Sequence, residues 1–200
     1  VSRHIEVLHW SEVIRRRAEA YVGPVDDPSA ATTLLKEALC CARDDALNGT
    51  CRRAEVTLYA DGRCTVRDDG PGWPLDVQCD GRRLAECYLT TLWACAEHKS
   101  TPETSKSTCV VGLAVVNALS EWLSVRIFRD GSEWAQRYAR GHAVTALEVV
   151  APTTRSGTEL SLQLDASILR HTDFDLPALR RWIETDVAPL EVHVTDLRSR

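Results

Sequence analysis

The sequence predicts a two-layer α/β sandwich (α+β), with a mixed, mostly antiparallel sheet and helices layered on one face. Three observations carry that expectation. Two β-rich runs, 54–59 and 64–66, flank Asp61-Gly62, and Asp-Gly between apolar alternations marks a hairpin. Four more strand-like runs follow in the second half, the first two joined by Asp130-Gly131. Helical segments with apolar residues three and four apart stand before and between the strand groups. Elements mixed in this way pack as a sheet against a helix layer.

In chain order, Ile5 to Leu8 reads as a short extended arm, and Ser11 as the N-cap of a helix running into Arg15-Arg16-Arg17. In an acidic chain the three arginines read as a solvated face. Pro28 and Ser29 open a long helix to about Leu47, with Leu34, Leu35, Ala38, Leu39, Ala42 and Ala46 as its apolar stripe. Asn48-Gly49 is its C-terminal stop. Residues 75–82 read as loop and 83–96 as a helix. Residues 97–108 are polar, Ser/Thr-rich and contain a proline, so they read as a loop. A buried helix is expected over 109–119, then strands at 122–129, 133–139, 145–150 and 158–163. Asp165 is expected to cap a short helix, 176–186 to form another, and 192–194 a last strand. With no internal repeat and no linker, one domain is expected over 1–200.

Two hundred residues can bury a sizeable core, and 44% hydrophobic with 26% charged residues is ordinary for a globular chain. A net charge of −5 argues against direct nucleic-acid binding, which needs a basic face. No apolar run reaches about 18 residues, so no membrane span is expected. Val1 to Glu6 has no apolar signal core, and a cytoplasmic protein is expected. The eight cysteines include no Cys-x-x-Cys and no histidine at zinc-finger spacing. They read as reduced, small buried hydrophobes.

The residues that suggest chemistry lie around one stretch. The second strand ends in Asp68-Asp69, followed by Gly70-Pro71-Gly72-Trp73-Pro74. The glycines permit a left-handed backbone and close approach to a ligand. A carboxylate at the strand end, Asp68, can accept hydrogen bonds from a ligand amino group. Taken alone, an acidic surface turn explains the stretch equally well. On the long helix, Glu37, Cys41 and Asp44 stand at i, i+4 and i+7 and share one face.

Together these stretches resemble the GHKL (Bergerat-fold) ATPase family, in its gyrase B and topoisomerase IV B branch. Residues 68–72 look like its Asp-x-Gly-x-Gly box, and 35–47 like its Glu-x-x-x-Asn-Ala-x-Asp helix. Residues 111–120 look like the end of its glycine-rich lid with the following helix, and Ser156-Gly157-Thr158 like its later Thr-Gly-Thr strand. The resemblance runs from about Ile5 to Arg200. It implies a Bergerat sandwich with an adenine-nucleotide site. Glu37 would be the catalytic residue that activates or orients water beside the γ-phosphate. Asp68 would take the adenine amino group, directly or through water shared with Thr158, and Gly72 would pass beneath the ring. Trp73 and Pro74 stand where an isoleucine-proline pair flanks the pocket. Ala38, Tyr88, Leu113 and Leu160 match its apolar lining. Asp45 aligns with a glutamate that backs the site, Arg129 with a rim arginine, and Gly112 with a lid glycine. Residues 97–108 would be the lid, where Lys99 or Lys106 could meet a phosphate.

Two departures bear on activity. Cys41 stands where the family has an asparagine that binds Mg²⁺, and a soft thiol is a poor ligand for an ion that demands hard oxygens. Residues 107–111 replace a run of glycines, and β-branched Val110 and Val111 are expected to resist the conformations of a phosphate nest. Lost contacts of that kind cost about 1.5–3 kcal/mol each. ATP or ADP is therefore the expected ligand, Mg²⁺ binding is expected to be poor, and no metal-ligating set is predicted. The family's transducer lysine and DNA-cleaving tyrosine domain have no counterpart in 1–200, so the chain by itself is not expected to be a topoisomerase. The leading reading is a stand-alone nucleotide-binding domain with weak or no ATP hydrolysis. Three alternatives stay open: a pocket repurposed for another small molecule, a partner or drug-decoy protein, and an ATPase completed by a partner chain or a homodimer.

Overall fold

The computed structural model describes residues 8–79, 81–94 and 109–198. The arm at 5–7, the whole 97–108 loop with Lys99 and Lys106, and Cys95 lie outside the described residues. The helices are α1 (Trp10–Arg16), α2 (Glu19–Val22), α3 (Ser29–Leu47), α4 (Leu84–Thr90), α5 (Leu113–Ala118) and α6 (Leu176–Asp186). The strands are β1 (Arg53–Leu58), β2 (Arg63–Asp68), β3 (Gln78–Cys79), β4 (Arg82–Arg83), β5 (Ser120–Arg129), β6 (Ser132–Ala139), β7 (His142–Ala143), β8 (Glu148–Pro152), β9 (Gly157–Leu164) and β10 (Glu191–Asp196). No helix among them is long and apolar enough to cross a membrane.

The main sheet runs β10-β1-β2-β9-β5-β6-β7, with β8 also on β6, and β3 pairs only with β4. Among the described residues only β1 and β10 pair in parallel, so the sheet is mixed and mostly antiparallel, as the sequence predicts. Ala54, Val56 and Leu58 on β1, Cys64 and Val66 on β2, and Leu160, Leu162 and Leu164 on β9 are all buried, the period-two signature of a half-buried sheet. Their face meets a helix layer whose spine is α3. That helix buries residues on most of its circumference, because it lies between the sheet and the neighbouring α5 and α6. Asn48 caps it, and Gly49 turns the chain away at φ +73°.

Several boundaries differ from the sequence expectation, each for a local reason. The cap of α1 is His9, whose Nδ1 accepts from Ser11 N–H; Ser11 itself is buried inside the helix. Helix α4 ends at Thr90, although apolar spacing continues to Leu92. Thr91 is extended, Trp93 sits at φ +67°, and the Arg82 guanidinium holds the hydroxyls of Thr90 and Thr91 at 2.7 and 3.1 Å. Helix α5 starts at Leu113 rather than Cys109, since the preceding amides turn toward a side chain of α3. The strand expected over 145–150 begins later and ends later, as β8, with β7 a separate two-residue strand before it, and the loop over 75–82 contains most of the β3–β4 ribbon. Asp165 caps a turn and not a helix, accepting from Ser167 N–H and hydroxyl at 2.9 and 2.6 Å.

Asp165 also ties the helix layer to the end of β9. Its other oxygen meets Arg15 at 2.7 Å and Arg140 at 3.1 Å, and Arg15 donates onward to Ala118 O at the end of α5. Burial opposes ionisation, but the hydrogen bonds from Ser167 and Arg15 outweigh it and hold the carboxyl down at about 2. A carboxylate depressed in the folded state contributes stability above its unfolded pKa and loses it as pH falls through the folded value. Asp165→Asn is therefore expected to cost about 2 kcal/mol at neutral pH and to flatten the loss of stability between about pH 4 and pH 2. Denaturant midpoints across that range check this. A variant whose profile falls in parallel with the parent's would contradict it.

Candidate functional site

Helix α3 carries Glu37, Cys41 and Asp44 on one face, and all three are buried. Asp45 lies eight residues beyond Glu37, about 12 Å along the same helix. The middle of α3 thus approaches the segment before α5, and its C-terminal end approaches the turn after β2.

At the β2 end, Asp68 is buried at the last position of its strand. Its Oδ1 accepts from Gly70 N–H at 2.9 Å and Thr158 N–H at 3.1 Å. The approach of β9 that brings Thr158 there depends on Gly157, at φ +115°, where a Cβ would lie 2.0 Å from the Asp68 carbonyl oxygen. Gly72, at φ +76°, is pressed against β5 in the same way, a Cβ there falling 2.8 Å from Phe128 O. The Asp45 carboxylate sits on the far side of the turn, 3.6 Å from where a Cβ of Gly70 would be. The Thr158 hydroxyl is buried and has no hydrogen-bond partner among the described residues. A buried polar atom in that state is uncommon and marks a place where a ligand or water fits.

Around this point Trp73 is buried edge-on against Tyr88, ring centres 5.4 Å apart. Arg129 donates to Gly72 O at 3.0 Å and fixes the turn from the rim. Pro74 is half-buried, its carbonyl accepting from Ala85 N–H at the start of α4. Leu113 is buried at the start of α5. A recess bordered by Arg53, Glu55, Arg67 and Asp69 shares only Asp68 with this set. It includes outward-facing residues of β1.

At the other end, the Glu37 carboxylate accepts three consecutive backbone N–H groups: Val110 at 2.8 Å, Val111 at 3.2 Å and Gly112 at 2.8 Å. The two valines stay out of the positive-φ region, as expected, and their amides converge nonetheless, on a carboxylate of the same chain. Of the three residues only Gly112 takes a positive φ, at +85°, and a single left-handed residue at the N-cap of α5 suffices to make the amides converge. The convergence also explains why α5 begins late. Burial pushes the Glu37 carboxyl up, the three N–H bonds work against that, and the direction that remains is upward.

Sequence reasoning singled out Cys41 but missed two neighbours. Cys109 is buried beside the nest, its thiol hydrogen-bonded with those of Cys40 and Cys41. The signal was there for Cys40, three residues after Glu37 on the same helix face. Nothing in the local sequence points from Cys109 back to α3. Among the described residues the cysteines form no disulfide.

No protein-family model matches the chain. It is similar to the B proteins of DNA gyrase and of DNA topoisomerase 4. It is 39% identical over 173 residues to the DNA gyrase B protein of Thermotoga maritima, covering 86% of this chain and 27% of that protein. It is 35% identical over 188 residues to the DNA gyrase B protein of Caulobacter vibrioides, covering 88% and 23%. With the DNA topoisomerase 4 B protein of Streptococcus pneumoniae the identity is 37% over 174 residues, covering 85% and 27%. The chain spans about a quarter of the length of these curated relatives.

Proposed function

We propose, from the premise that this chain belongs to the gyrase B and topoisomerase IV B family over the stretch it matches, that it binds an adenine nucleotide with weak or no hydrolysis. The observation that carries this reading is the buried Thr158 hydroxyl without a partner, beside a carboxylate whose Oδ1 is locked by two backbone amides. Asp68 accepts the adenine amino group, and the Thr158 hydroxyl meets the ring or a water shared with Asp68. Gly72 gives the ring room, and Trp73, Tyr88 and Leu113 supply apolar surface.

The phosphate half is weaker. The nest that would hold a phosphate is filled by the chain's own Glu37 carboxylate. Cys41 offers sulfur where Mg²⁺ requires oxygen. The binding free energy then comes mainly from the nucleoside. Adenosine, ADP and ATP are expected to bind within about tenfold of one another, a spread of about 1.4 kcal/mol, and Mg²⁺ to change little. Calorimetric titration of each, with and without Mg²⁺, measures it. Binding of none of them would point to a pocket repurposed for another small molecule. ATP binding far more tightly in Mg²⁺ would restore an ordinary ATPase.

A further inference from the structure

Glu37, Cys40 and Cys109 each bring one potential ligand atom to within 4.8 Å of the other two, and all three residues are buried. Cys41 adds another thiol, in contact with Cys109. Two separate parts of the chain build this cluster. Glu37, Cys40 and Cys41 stand at i, i+3 and i+4 on α3, a spacing that puts them on one face. Cys109 comes across from the segment before α5, which the three amide bonds to Glu37 hold against the helix.

We propose that this cluster is a binding site for one thiophilic d¹⁰ cation, Zn²⁺ in the first place, held by the sulfurs of Cys40, Cys41 and Cys109 with a Glu37 oxygen as fourth ligand. The donor set selects the cation. Thiolates favour Zn²⁺ or Cu⁺, whereas Mg²⁺ and Ca²⁺ take oxygen. A tetrahedral site with Zn–S distances of about 2.3 Å sets its donors roughly 3.7 Å apart. The donor atoms of Glu37, Cys40 and Cys109 already lie within 4.8 Å of one another, which leaves these three about 1 Å to close by side-chain rotation. Glu37 Oε1 accepts one amide and Oε2 two, so Oε1 keeps a lone pair for a metal. Each sulfur that binds releases one proton to solvent. Mutual hydrogen bonding and burial push the Cys109 thiol up. The site stands whether or not the neighbouring pocket takes a nucleotide, because none of its ligands comes from the Asp68 end.

The test is titration of the reduced chain with Co²⁺, then Zn²⁺. A thiolate-to-cobalt charge-transfer band is expected, saturating at a single ion per chain and abolished by Zn²⁺. Cys40→Ala and Cys109→Ala are each expected to weaken binding about a hundredfold, while Cys64→Ala, buried on β2, leaves it unchanged. Zinc-edge X-ray absorption on the parent chain reads the shell without any variant, and a sulfur-rich shell is expected. Absence of the cobalt band, a shell of only nitrogen and oxygen, or a band that survives in the Cys40→Ala/Cys109→Ala double variant would each overturn the proposal.

Discussion

Asp68→Asn is expected to lower adenine-nucleotide affinity by about a hundredfold or more with little change in stability. The amide oxygen can keep the place of Oδ1 and go on accepting from Gly70 and Thr158 N–H. The other terminal atom becomes an NH₂, a donor turned toward a ligand amino group that also donates. A site made to hydrogen-bond a polar group discriminates far more strongly than an apolar one, since the mismatch leaves buried groups unpaired. Asp68→Ala behaves differently. It removes Oδ1 as well and leaves two backbone amides without their acceptor, at about 1–3 kcal/mol each. Alanine should therefore cost both binding and melting temperature, and asparagine mainly binding. Calorimetry beside thermal melts separates the two. Unchanged affinity in Asp68→Asn would show that the pocket does not read adenine through this carboxylate.

Steady-state ATP turnover by the chain alone is expected to be indistinguishable from buffer. Catalysis of phosphoryl transfer is mostly positioning and charge stabilisation around the γ-phosphate. Glu37, to which the resemblance assigns the work on water, is spent on three amides of its own chain. The neighbouring Cys41 gives no hard oxygen to a magnesium ion. Cys41→Asn restores an amide oxygen at that position and is expected to gain Mg²⁺-dependent ATP affinity. A coupled assay with Glu37→Ala as control measures turnover. Mg²⁺-dependent hydrolysis that disappears in Glu37→Ala would overturn this expectation.

Where structure is decided locally, the sequence was legible. Asp61-Gly62 and Asp130-Gly131 mark hairpins that form, and α6 spans the 176–186 expected of it. The errors arise where distant groups intervene. The Arg82 guanidinium on Thr90 and Thr91 accompanies the early end of α4, and Glu37 draws away the amides that would have opened α5 earlier. The same holds for the site. Glu37, Cys41 and Asp45 were legible because one helix sets their spacing, and Asp68 because it ends a strand before a glycine turn. The thiol of Cys109 was not, since its partners belong to a helix more than sixty residues earlier. Periodicity carries no information over that distance.

The Glu37 carboxylate in its ring of amides also sets the terms of competition. It is tethered to the same chain, so its effective concentration at those amides is of the kind short tethers produce, in the millimolar range or above. An external anion has to outcompete a group that cannot diffuse away. Sulfate or phosphate in the buffer should be a poor rival for the amides of 110–112. The occupancy of that ring is then governed by opening of the chain and hardly at all by what is dissolved around it.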